Sequence, residues 1–218
     1  MDRLAVASMI DHTLLAPEAV MADLDRLCDD GRALGVAAVC VHPRHVSHVV
    51  ARLGGAVPVA AVVGFPSGAH RSDVKAFEAA HAVEDGATEL DMVIALGAAL
   101  DGRWAAVASD IAAVRAAAPA PIVLKVIVES AALDDEALVR ACQVAVNAGA
   151  DFVKTSTGFH PTGGATIGAV RSMRAAVGPD IGVKASGGIR DAATALAMIE
   201  AGASRIGASA SAAILDGL

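Results

Sequence analysis

Short apolar runs alternate along the chain with longer segments whose apolar positions recur every three or four residues. A strand that is buried on both faces reads as a continuous apolar run, whereas an amphipathic helix shows the longer spacing. The alternation therefore predicts consecutive βα units that build a parallel sheet. Eight apolar runs occur, and we expect strands at 10–14, 36–41, 59–64, 89–95, 122–128, 152–155, 182–185 and 204–207.

The joints between helices and strands share a short motif. A glycine placed to end a helix, followed by alanine, stands shortly before a strand at Gly86, Gly149 and Gly202. Eight units in 218 residues leave roughly 27 residues each, close to the lower limit for a closed eight-stranded barrel. We therefore predict an α/β fold: one (β/α)8 TIM barrel domain over residues 1–218, with a short extra N-terminal helix before Ile10. An open doubly wound sheet is the alternative.

Charge and cysteine content exclude several classes of partner. Seventeen basic residues against 24 acidic ones give a net charge of −7, so no basic face is available for nucleic acid. No apolar stretch is long enough for a spanning helix, and we expect no membrane partner. Cys28, Cys40 and Cys142 are widely spaced and form no CxxC pair, which is typical of reduced thiols. We therefore expect a cytoplasmic protein.

Lysine is rare in this chain and its placement is unusual. Only four of the 17 basic residues are lysines, and Lys125, Lys154 and Lys184 lie inside apolar runs. The fourth, Lys75, lies in a helical segment. An ammonium group in a buried strand is costly unless it is paired, and arginine cannot replace lysine where the chemistry needs an uncharged nitrogen. Three such lysines on successive strands indicate amine chemistry.

Strand alternation brings carboxylates to the same place. If the lysines point into the barrel, Glu89 and Asp91 on the fourth run share that interior with Asp11 and Thr13 on the first. Two ammonium groups held close together repel, so one has a lowered pKa and keeps a free amine that can attack a carbonyl. The pattern predicts a Schiff-base lysine without indicating which one. A buried ion-pair network without chemistry is the alternative.

Two glycine-bearing turns follow the last two strands, at 186–191 and at 207–209. Backbone N–H groups at helix starts bind phosphate, and barrels often place a phosphate site after strands seven and eight. The segment 155–158 adds hydroxyl groups and a glycine directly after Lys154. Together these turns predict a phosphate site, whereas either turn alone could be an ordinary tight turn.

Two other features suggest alternative chemistry. His42, His45 and His48 follow each other at intervals of three, which raises a zinc site as a hypothesis. On a helix this interval rotates each side chain by about 60° from the last, so the rings converge poorly and we predict no metal. Cys40 ends the second strand on the inward parity, where it lines a pocket or acts as a small buried apolar residue.

Eight segments carry a resemblance to a known family. In chain order they are IDHTLL, VCVHP, VVGFPSG, ELDMVI, LKVIVES, FVKTSTGF, VKASGGIRD and IGAS, and they span Ile10 to Ser209. This series resembles the deoxyribose-phosphate aldolases, and the pairing of FVKTSTGF with VKASGGIR is highly specific to them. The resemblance implies a class I aldolase on a (β/α)8 barrel that needs no metal or other cofactor. Such an enzyme interconverts 2-deoxy-D-ribose 5-phosphate with acetaldehyde and D-glyceraldehyde 3-phosphate, in deoxyribose phosphate catabolism.

The resemblance also implies roles for individual residues. Lys154 would be the Schiff-base nucleophile, Lys184 would lower its pKa, and Asp91 would be a general acid/base acting with a water. The residues expected to support them are Asp11, Thr13, Cys40 and Lys125. The residues expected to bind the substrate and its phosphate are Gly158, Gly187, Gly188, Gly207 and Ser209.

Three departures from the family pattern affect these expectations. Ala210 stands where many members have a second hydroxyl group, and Phe159 stands where some have a further basic residue, so phosphate binding should be weaker. The chain has no tyrosine, so the C-terminal tyrosine proposed to relay protons in some members has no counterpart. The expected partners are small sugar phosphates and aldehydes, and the expected assembly is a homodimer or homotetramer. A metal-dependent aldolase or isomerase and a non-catalytic sugar-phosphate-binding barrel are the alternative functions.

Overall fold

The computed structural model describes all 218 residues and closes eight parallel strands into a barrel. The strands are β1 Ile10–Thr13, β2 Ala38–Val41, β3 Val59–Val63, β4 Glu89–Val93, β5 Val123–Ile127, β6 Phe152–Lys154, β7 Gly182–Ser186 and β8 Arg205–Ala208. Each strand pairs with its sequence neighbours, and β8 pairs with β1. The predicted (β/α)8 barrel is confirmed, and the open sheet is excluded. Every observed strand lies within about two residues of the predicted run at each end.

Ten helices surround the strands. They are α1 Arg3–Ala7, α2 Met21–Leu34, α3 Val46–Leu53, α4 Ser72–Glu84, α5 Leu96–Leu100, α6 Trp104–Ala117, α7 Asp135–Asn147, α8 Ile167–Val177, α9 Ala192–Glu200 and α10 Ser211–Asp216. The short helix α1 precedes β1, as expected for the extra N-terminal element. Short 3₁₀ turns occupy Pro43–His45 and Ser130–Ala132. None of these helices has both the length and the apolar character needed to cross a membrane.

Strand alternation separates an aliphatic layer from the interior of the barrel. Fifty-one buried apolar residues form the core between the strands and the helices. A second cluster of five residues belongs to the inward-facing parity of β2 and β3 and to the loop after β1, namely Leu15, Ala38, Cys40, Ala60 and Val62. The interior is therefore apolar on the β2–β3 side. Charged side chains occupy the remaining interior.

The predicted glycine joints are present in the structure. Gly86, Gly149 and Gly202 have φ values of 102°, 97° and 115°, a backbone region that favours glycine. A Cβ atom at Gly149 would lie 3.0 Å from the Arg115 side chain, and one at Gly202 would lie 2.8 Å from the Arg174 side chain. Both arginines donate hydrogen bonds to the carbonyl oxygen of the glycine that they cover. The joints thus fix how each helix leads into the next strand.

Candidate active site

A cluster of charged side chains fills much of the barrel interior. All three strand lysines point inward, as predicted, and none is more than 3% exposed. They contact the three carboxylates that strand alternation placed with them. The cluster consists of Asp11, Glu89, Asp91, Lys125, Lys154, Lys184 and Arg205.

Asp91 lies at the centre of this cluster and contacts all three lysines. Its Oδ1 accepts a hydrogen bond from Lys125 Nζ at 2.8 Å. Its Oδ2 accepts hydrogen bonds from Lys154 Nζ at 2.7 Å and from Lys184 Nζ at 2.6 Å. Lys184 also bonds to Asp11. One carboxylate oxygen therefore holds two lysine nitrogens side by side, which is the proximity that the sequence predicted.

The cluster shifts the pKa of its lysines in opposite directions. Burial lowers the pKa of Lys154, and the neighbouring Lys184 ammonium lowers it further, against the opposing effect of Asp91. Burial also disfavours the charged forms of Lys125 and Lys184, but nearby carboxylates, led by Asp11 and Asp91, outweigh it and raise the pKa of both lysines. Lys154 is thus the one lysine of the three that is tuned toward the neutral amine.

The carboxylates are tuned toward their charged forms. Burial raises the pKa of Asp91, but Lys125, Lys154 and Lys184 outweigh it and hold that pKa well below its usual range. The pKa of Asp11 is lowered in the same way, by Lys125, Lys184 and Arg205 acting against burial. Three carboxylates therefore face four cations. If Lys154 is a neutral amine, three cations balance three anions, which avoids an uncompensated buried charge.

A cavity of about 440 Å³ opens beside the carboxyl ends of the strands. Lys154 is the only member of the charged cluster that lines it. Thr13 and Thr157 also line the cavity, together with the five residues predicted to bind substrate and phosphate. The structure therefore brings the predicted nucleophile and the predicted phosphate turns to one cavity.

The other predicted supporting residues lie behind the cavity. Asp11, Asp91, Lys125 and Lys184 are 0% exposed and do not line it. Cys40 belongs to the apolar cluster of the barrel interior, and burial raises the pKa of its thiol to about 11. Cys40 is therefore a small buried apolar residue, the second of the two interpretations that its position allowed.

The glycine turns present unpaired backbone donors around the cavity. The N–H groups of Gly158, Gly187, Gly188 and Ser209 make no hydrogen bond within the chain. Gly158, Gly187 and Gly188 have positive φ values of 83°, 89° and 86°. A Cβ atom at Gly187 would lie 2.9 Å from Gly164 Cα and 3.4 Å from Gly158 Cα, so this turn packs too closely against the segment after β6 for a side chain. Free N–H groups without covering side chains are suited to binding an anion.

Gly207 was predicted both to end the eighth strand and to begin the turn after it. It lies inside β8, one residue before the end of that strand. A Cβ atom there would lie 3.1 Å from Lys184 Cε and 2.9 Å from Ser186 Cβ. The missing side chain therefore makes room for Lys184, in addition to bordering the cavity.

Sequence reasoning missed two cations that pair with buried carboxylates. Arg205 Nη1 lies 2.6 Å from Asp11 Oδ1 and 3.2 Å from Glu89 Oε2, which adds a fourth cation to the cluster. The parity argument applied to the strand lysines would have found it, because β8 begins with this residue. Lys75 on α4 is also fully buried, with its Nζ 2.6 Å from Asp110 Oδ2. No local signal marks that burial, since Asp110 lies 35 positions away.

The three spaced histidines turn to different partners. His42 Nε2 lies 3.1 Å from the Leu15 carbonyl oxygen, and His48 Nε2 lies 3.0 Å from Asp25 Oδ1. His45 forms the end of the short 3₁₀ turn that precedes α3. The rings do not share a common contact.

Comparisons with known proteins agree with the geometry of the site. The model of the DeoC/LacD family aldolases matches residues 5–216. A deoxyribose-phosphate aldolase of Kocuria rhizophila is 56% identical over 216 residues, covering 99% of this chain and 98% of the relative. One of Mycolicibacterium paratuberculosis is 59% identical over 220 residues, with coverage of 99% and 98%.

A solved structure shows the same fold at lower identity. The tetrameric deoxyribose phosphate aldolase from Aeropyrum pernix is 35% identical and superposes with a TM-score of 0.90, covering 99% of this chain and 91% of that one. The family resemblance expected from the eight motifs is thereby confirmed. The chain belongs to the DeoC/LacD family of aldolases.

Proposed function

We propose that this chain is a class I aldolase that reversibly cleaves 2-deoxy-D-ribose 5-phosphate to acetaldehyde and D-glyceraldehyde 3-phosphate, and so degrades deoxyribose phosphates. The observation that carries the proposal is the setting of Lys154. It is the one lysine of the charged cluster that lines the cavity, and its pKa is lowered. Relatives at 56% and 59% identity bear the name of this activity.

The first half of the reaction uses the free amine of Lys154. Its nitrogen attacks C1 of the open-chain sugar, and loss of water from the adduct leaves a protonated imine. The buried carboxylate of Asp91, 2.7 Å from Lys154 Nζ, stabilises the positive charge that forms on that nitrogen. Burial favours the neutral amine before the attack, and Asp91 favours the cation after it.

The second half breaks the bond between C2 and C3. Removal of the proton from the C3 hydroxyl sends the bonding electron pair into the imine, which gives an enamine and releases D-glyceraldehyde 3-phosphate. Protonation of the enamine at C2 and hydrolysis then release acetaldehyde and restore Lys154. Asp91 is 0% exposed, so it exchanges protons with the sugar through a water rather than by direct contact.

The phosphate group would occupy the glycine turns. Unpaired N–H groups of Gly158, Gly187, Gly188 and Ser209 border the same cavity as Lys154. Binding of the phosphate there holds the other end of the sugar, so that C1 lies at Lys154. Lys184, Lys125 and Asp11 act behind the cavity by setting the charge of the cluster.

Borohydride trapping tests the proposal. Reduction in the presence of 2-deoxyribose 5-phosphate should leave a stable adduct on the peptide that contains Lys154, which mass spectrometry would identify among only four lysines. Lys154→Met keeps the length of the side chain, adds no charge to the cluster and removes the nucleophilic nitrogen, and we expect its turnover to fall by about 10³-fold or more. Wild-type turnover in this variant, or an adduct on another lysine, would contradict the proposal.

The same experiment separates the alternative functions. A metal-dependent aldolase would lose activity in chelator and give no adduct with borohydride. A non-catalytic barrel would bind phosphate without turning over any aldehyde. The lowered pKa of Lys154 at the cavity favours the Schiff-base mechanism over both.

We infer further that the enzyme is a cytoplasmic homodimer or homotetramer. Val74 and Phe77 on α4 are 48% and 67% exposed, and the His81 ring stacks edge-on against Phe77 at 4.3 Å. An exposed apolar helix face of this kind supports self-association, and the Aeropyrum pernix relative is tetrameric. Three buried unpaired cysteines support a reducing compartment.

A further inference from the structure

Glu129 combines two unfavourable features directly after β5. It is the only non-glycine residue with a positive φ, at φ 55° and ψ 58°. Glu129 is 1% exposed, and its carboxylate forms no ion pair with a cation. A Cβ atom disfavours the left-handed backbone, and a buried carboxylate without a cation is costly. Backbone strain of this kind persists only where surrounding contacts hold the residue in place, and it is common at functional sites.

Both oxygens of the Glu129 carboxylate accept hydrogen bonds from Thr157. The Thr157 N–H donates to the two oxygens at 3.2 and 3.3 Å. Thr157 Oγ1 donates to Glu129 Oε2 at 2.6 Å and accepts from the Phe159 N–H at 3.1 Å. The carboxylate therefore fixes Thr157 directly and Phe159 through the threonine hydroxyl. Gly158 lies between these two fixed residues.

Gly158 contributes one of the free N–H groups at the cavity. A Cβ atom added to it would lie 3.6 Å from Gly187 Cα, so the two glycine turns lie against each other. Rotation of the peptide at 157–159 would turn the Gly158 N–H away from a phosphate bound between them. The hydrogen bonds that Glu129 accepts from Thr157 restrain that rotation.

Lys154 is held in place by other contacts. The Val128 N–H donates to the Lys154 carbonyl oxygen at 2.9 Å, and the Thr155 N–H donates to the Lys184 carbonyl oxygen at 3.0 Å. The Lys154 side chain is bonded to Asp91. None of these contacts involves the Glu129 carboxylate, so its loss should disturb the phosphate turn and leave the nucleophile in place.

We propose that Glu129 is a positioning residue that sets the preference for phosphorylated substrates, by holding the 157–159 turn so that the Gly158 N–H faces the phosphate. This inference rests on the proposed function, because it deepens the specificity of that same cavity. Phe159 supplies no charge to the phosphate, so backbone donors with a fixed direction carry more of the recognition.

The test compares two substrates that differ only in the phosphate, 2-deoxyribose 5-phosphate and 2-deoxyribose. In Glu129→Gln and in Thr157→Val, we expect KM for the phosphorylated sugar to rise about tenfold, since a misdirected bond to a charged group is lost. In Glu129→Gln neither kcat nor the kcat/KM for 2-deoxyribose should change by more than about twofold, because Lys154 stays in place. Because Thr157 itself lines the cavity, the result expected in Thr157→Val is a larger loss of kcat/KM with the phosphorylated sugar than with 2-deoxyribose.

Two matched variants serve as controls. Ser130→Ala removes a neighbouring buried hydroxyl that has no hydrogen-bond partner, and it should leave the kinetics with both substrates unchanged. Thr157→Ser keeps the hydroxyl that bonds to Glu129 and should retain the preference that Thr157→Val loses. Because Thr157→Val leaves the Glu129 backbone intact, it tests the hydrogen bond between Thr157 and Glu129 even if Glu129→Gln folds poorly.

Outcomes for the inference and for the proposed function are separable. Equal losses with both sugars, or no loss with either, would overturn the positioning role of Glu129 while the aldolase activity stands. Titration with inorganic phosphate should show binding about tenfold weaker in Glu129→Gln than in the wild type, with no turnover required. A wild-type protein that binds phosphate but yields no borohydride adduct would contradict the proposed function and leave this titration as the test of Glu129.

Discussion

Lys154 and Lys184 differ in charge tuning although they share one oxygen of Asp91. Lys184 also bonds to Asp11, so two carboxylates outweigh its burial and raise its pKa. Lys154 has only Asp91, so burial and the Lys184 cation prevail and its pKa is lowered. One additional carboxylate contact is thus the difference between the lysine whose pKa is raised and the lysine whose pKa is lowered.

Replacement of Lys184 should move the pH profile of Lys154. In Lys184→Met the repelling cation is gone, so the pKa of Lys154 rises and the free amine appears only at higher pH. We expect the borohydride trapping rate with acetaldehyde to fall about tenfold at neutral pH and to recover as pH rises, for a pKa increase of about one unit.

The measurement is the trapping rate between pH 6 and 10, roughly the range over which a lowered lysine pKa is titrated. Arg103→Met removes a surface cation that is paired only with Asp101, and it should leave the midpoint unchanged. An unchanged midpoint in Lys184→Met would show that burial alone tunes Lys154.

The residues that share the barrel interior could be predicted where strand alternation determines which side chains point inward. Parity placed Lys154, Lys184 and Asp91 together correctly, because side chains on alternate strand positions must share the interior. It could not reveal that Lys75 is buried, since helix positions near a loop give no comparable rule and its partner Asp110 lies on another helix.

At the level of elements, the Lys75–Asp110 pair joins three segments. Lys75 on α4 donates to Asp110 on α6 at 2.6 Å and to the carbonyl oxygen of Val93, the last residue of β4, at 2.8 Å. Ser72 Oγ at the start of α4 donates to the other oxygen of Asp110. The pair therefore ties both helices to the strand that carries Asp91.

Breaking this pair from one side should be more damaging than removing it entirely. Asp110→Ala leaves the Lys75 ammonium buried without its partner, and we expect a loss of about 3–5 kcal/mol in the free energy of unfolding. The double replacement Lys75→Met with Asp110→Leu removes both charges and should lose less than Asp110→Ala.

Urea unfolding measures both variants. Asp73→Ala breaks a pair with Arg71 at the N-terminus of α4, where both side chains are mostly exposed, and it should change stability far less. A double variant that is less stable than Asp110→Ala would contradict this account of the pair.

The order and type of elements could be predicted because each βα unit repeats the same pattern. The glycine joints at Gly86, Gly149 and Gly202 fixed where helices end. Prediction failed where local pattern and tertiary role diverge: the pattern placed Gly207 at the end of the eighth strand and the start of a phosphate turn, but gave no sign that its missing side chain makes room for Lys184. The left-handed backbone of Glu129 gave no signal either, because its partner Thr157 lies on the next βα unit.

For the whole molecule, the charged cluster links different strands of the closed barrel by ion pairs. Asp11 on β1 contacts Lys125 on β5, Lys184 on β7 and Arg205 on β8. Arg205 also reaches Glu89 on β4. The strands that meet at the β8–β1 closure are therefore joined by ion pairs as well as by backbone hydrogen bonds.

These ion pairs should make the stability of the barrel sensitive to acid. Asp11 and Asp91 have lowered pKa values in the folded state, so their contribution to stability is present above the unfolded pKa of about 3.9 and is lost as pH falls below it. Where the unfolded chain binds both protons and the folded chain binds neither, these two residues contribute a slope of about 2.7 kcal/mol per pH unit.

Urea unfolding at a series of pH values between about 2 and 6 would measure that slope. Asp11→Asn removes one of the two titrating groups, so the slope should fall by about 1.4 kcal/mol per pH unit, although the variant is less stable throughout. Asp216→Asn, which breaks an exposed pair between Asp216 and Arg3, should keep the wild-type slope. Equal slopes in the wild type and Asp11→Asn would mean that Asp11 is not held in its charged form by the cations that surround it. Only two anions would then remain in the barrel interior, and the inferred balance of three cations against three anions would be contradicted.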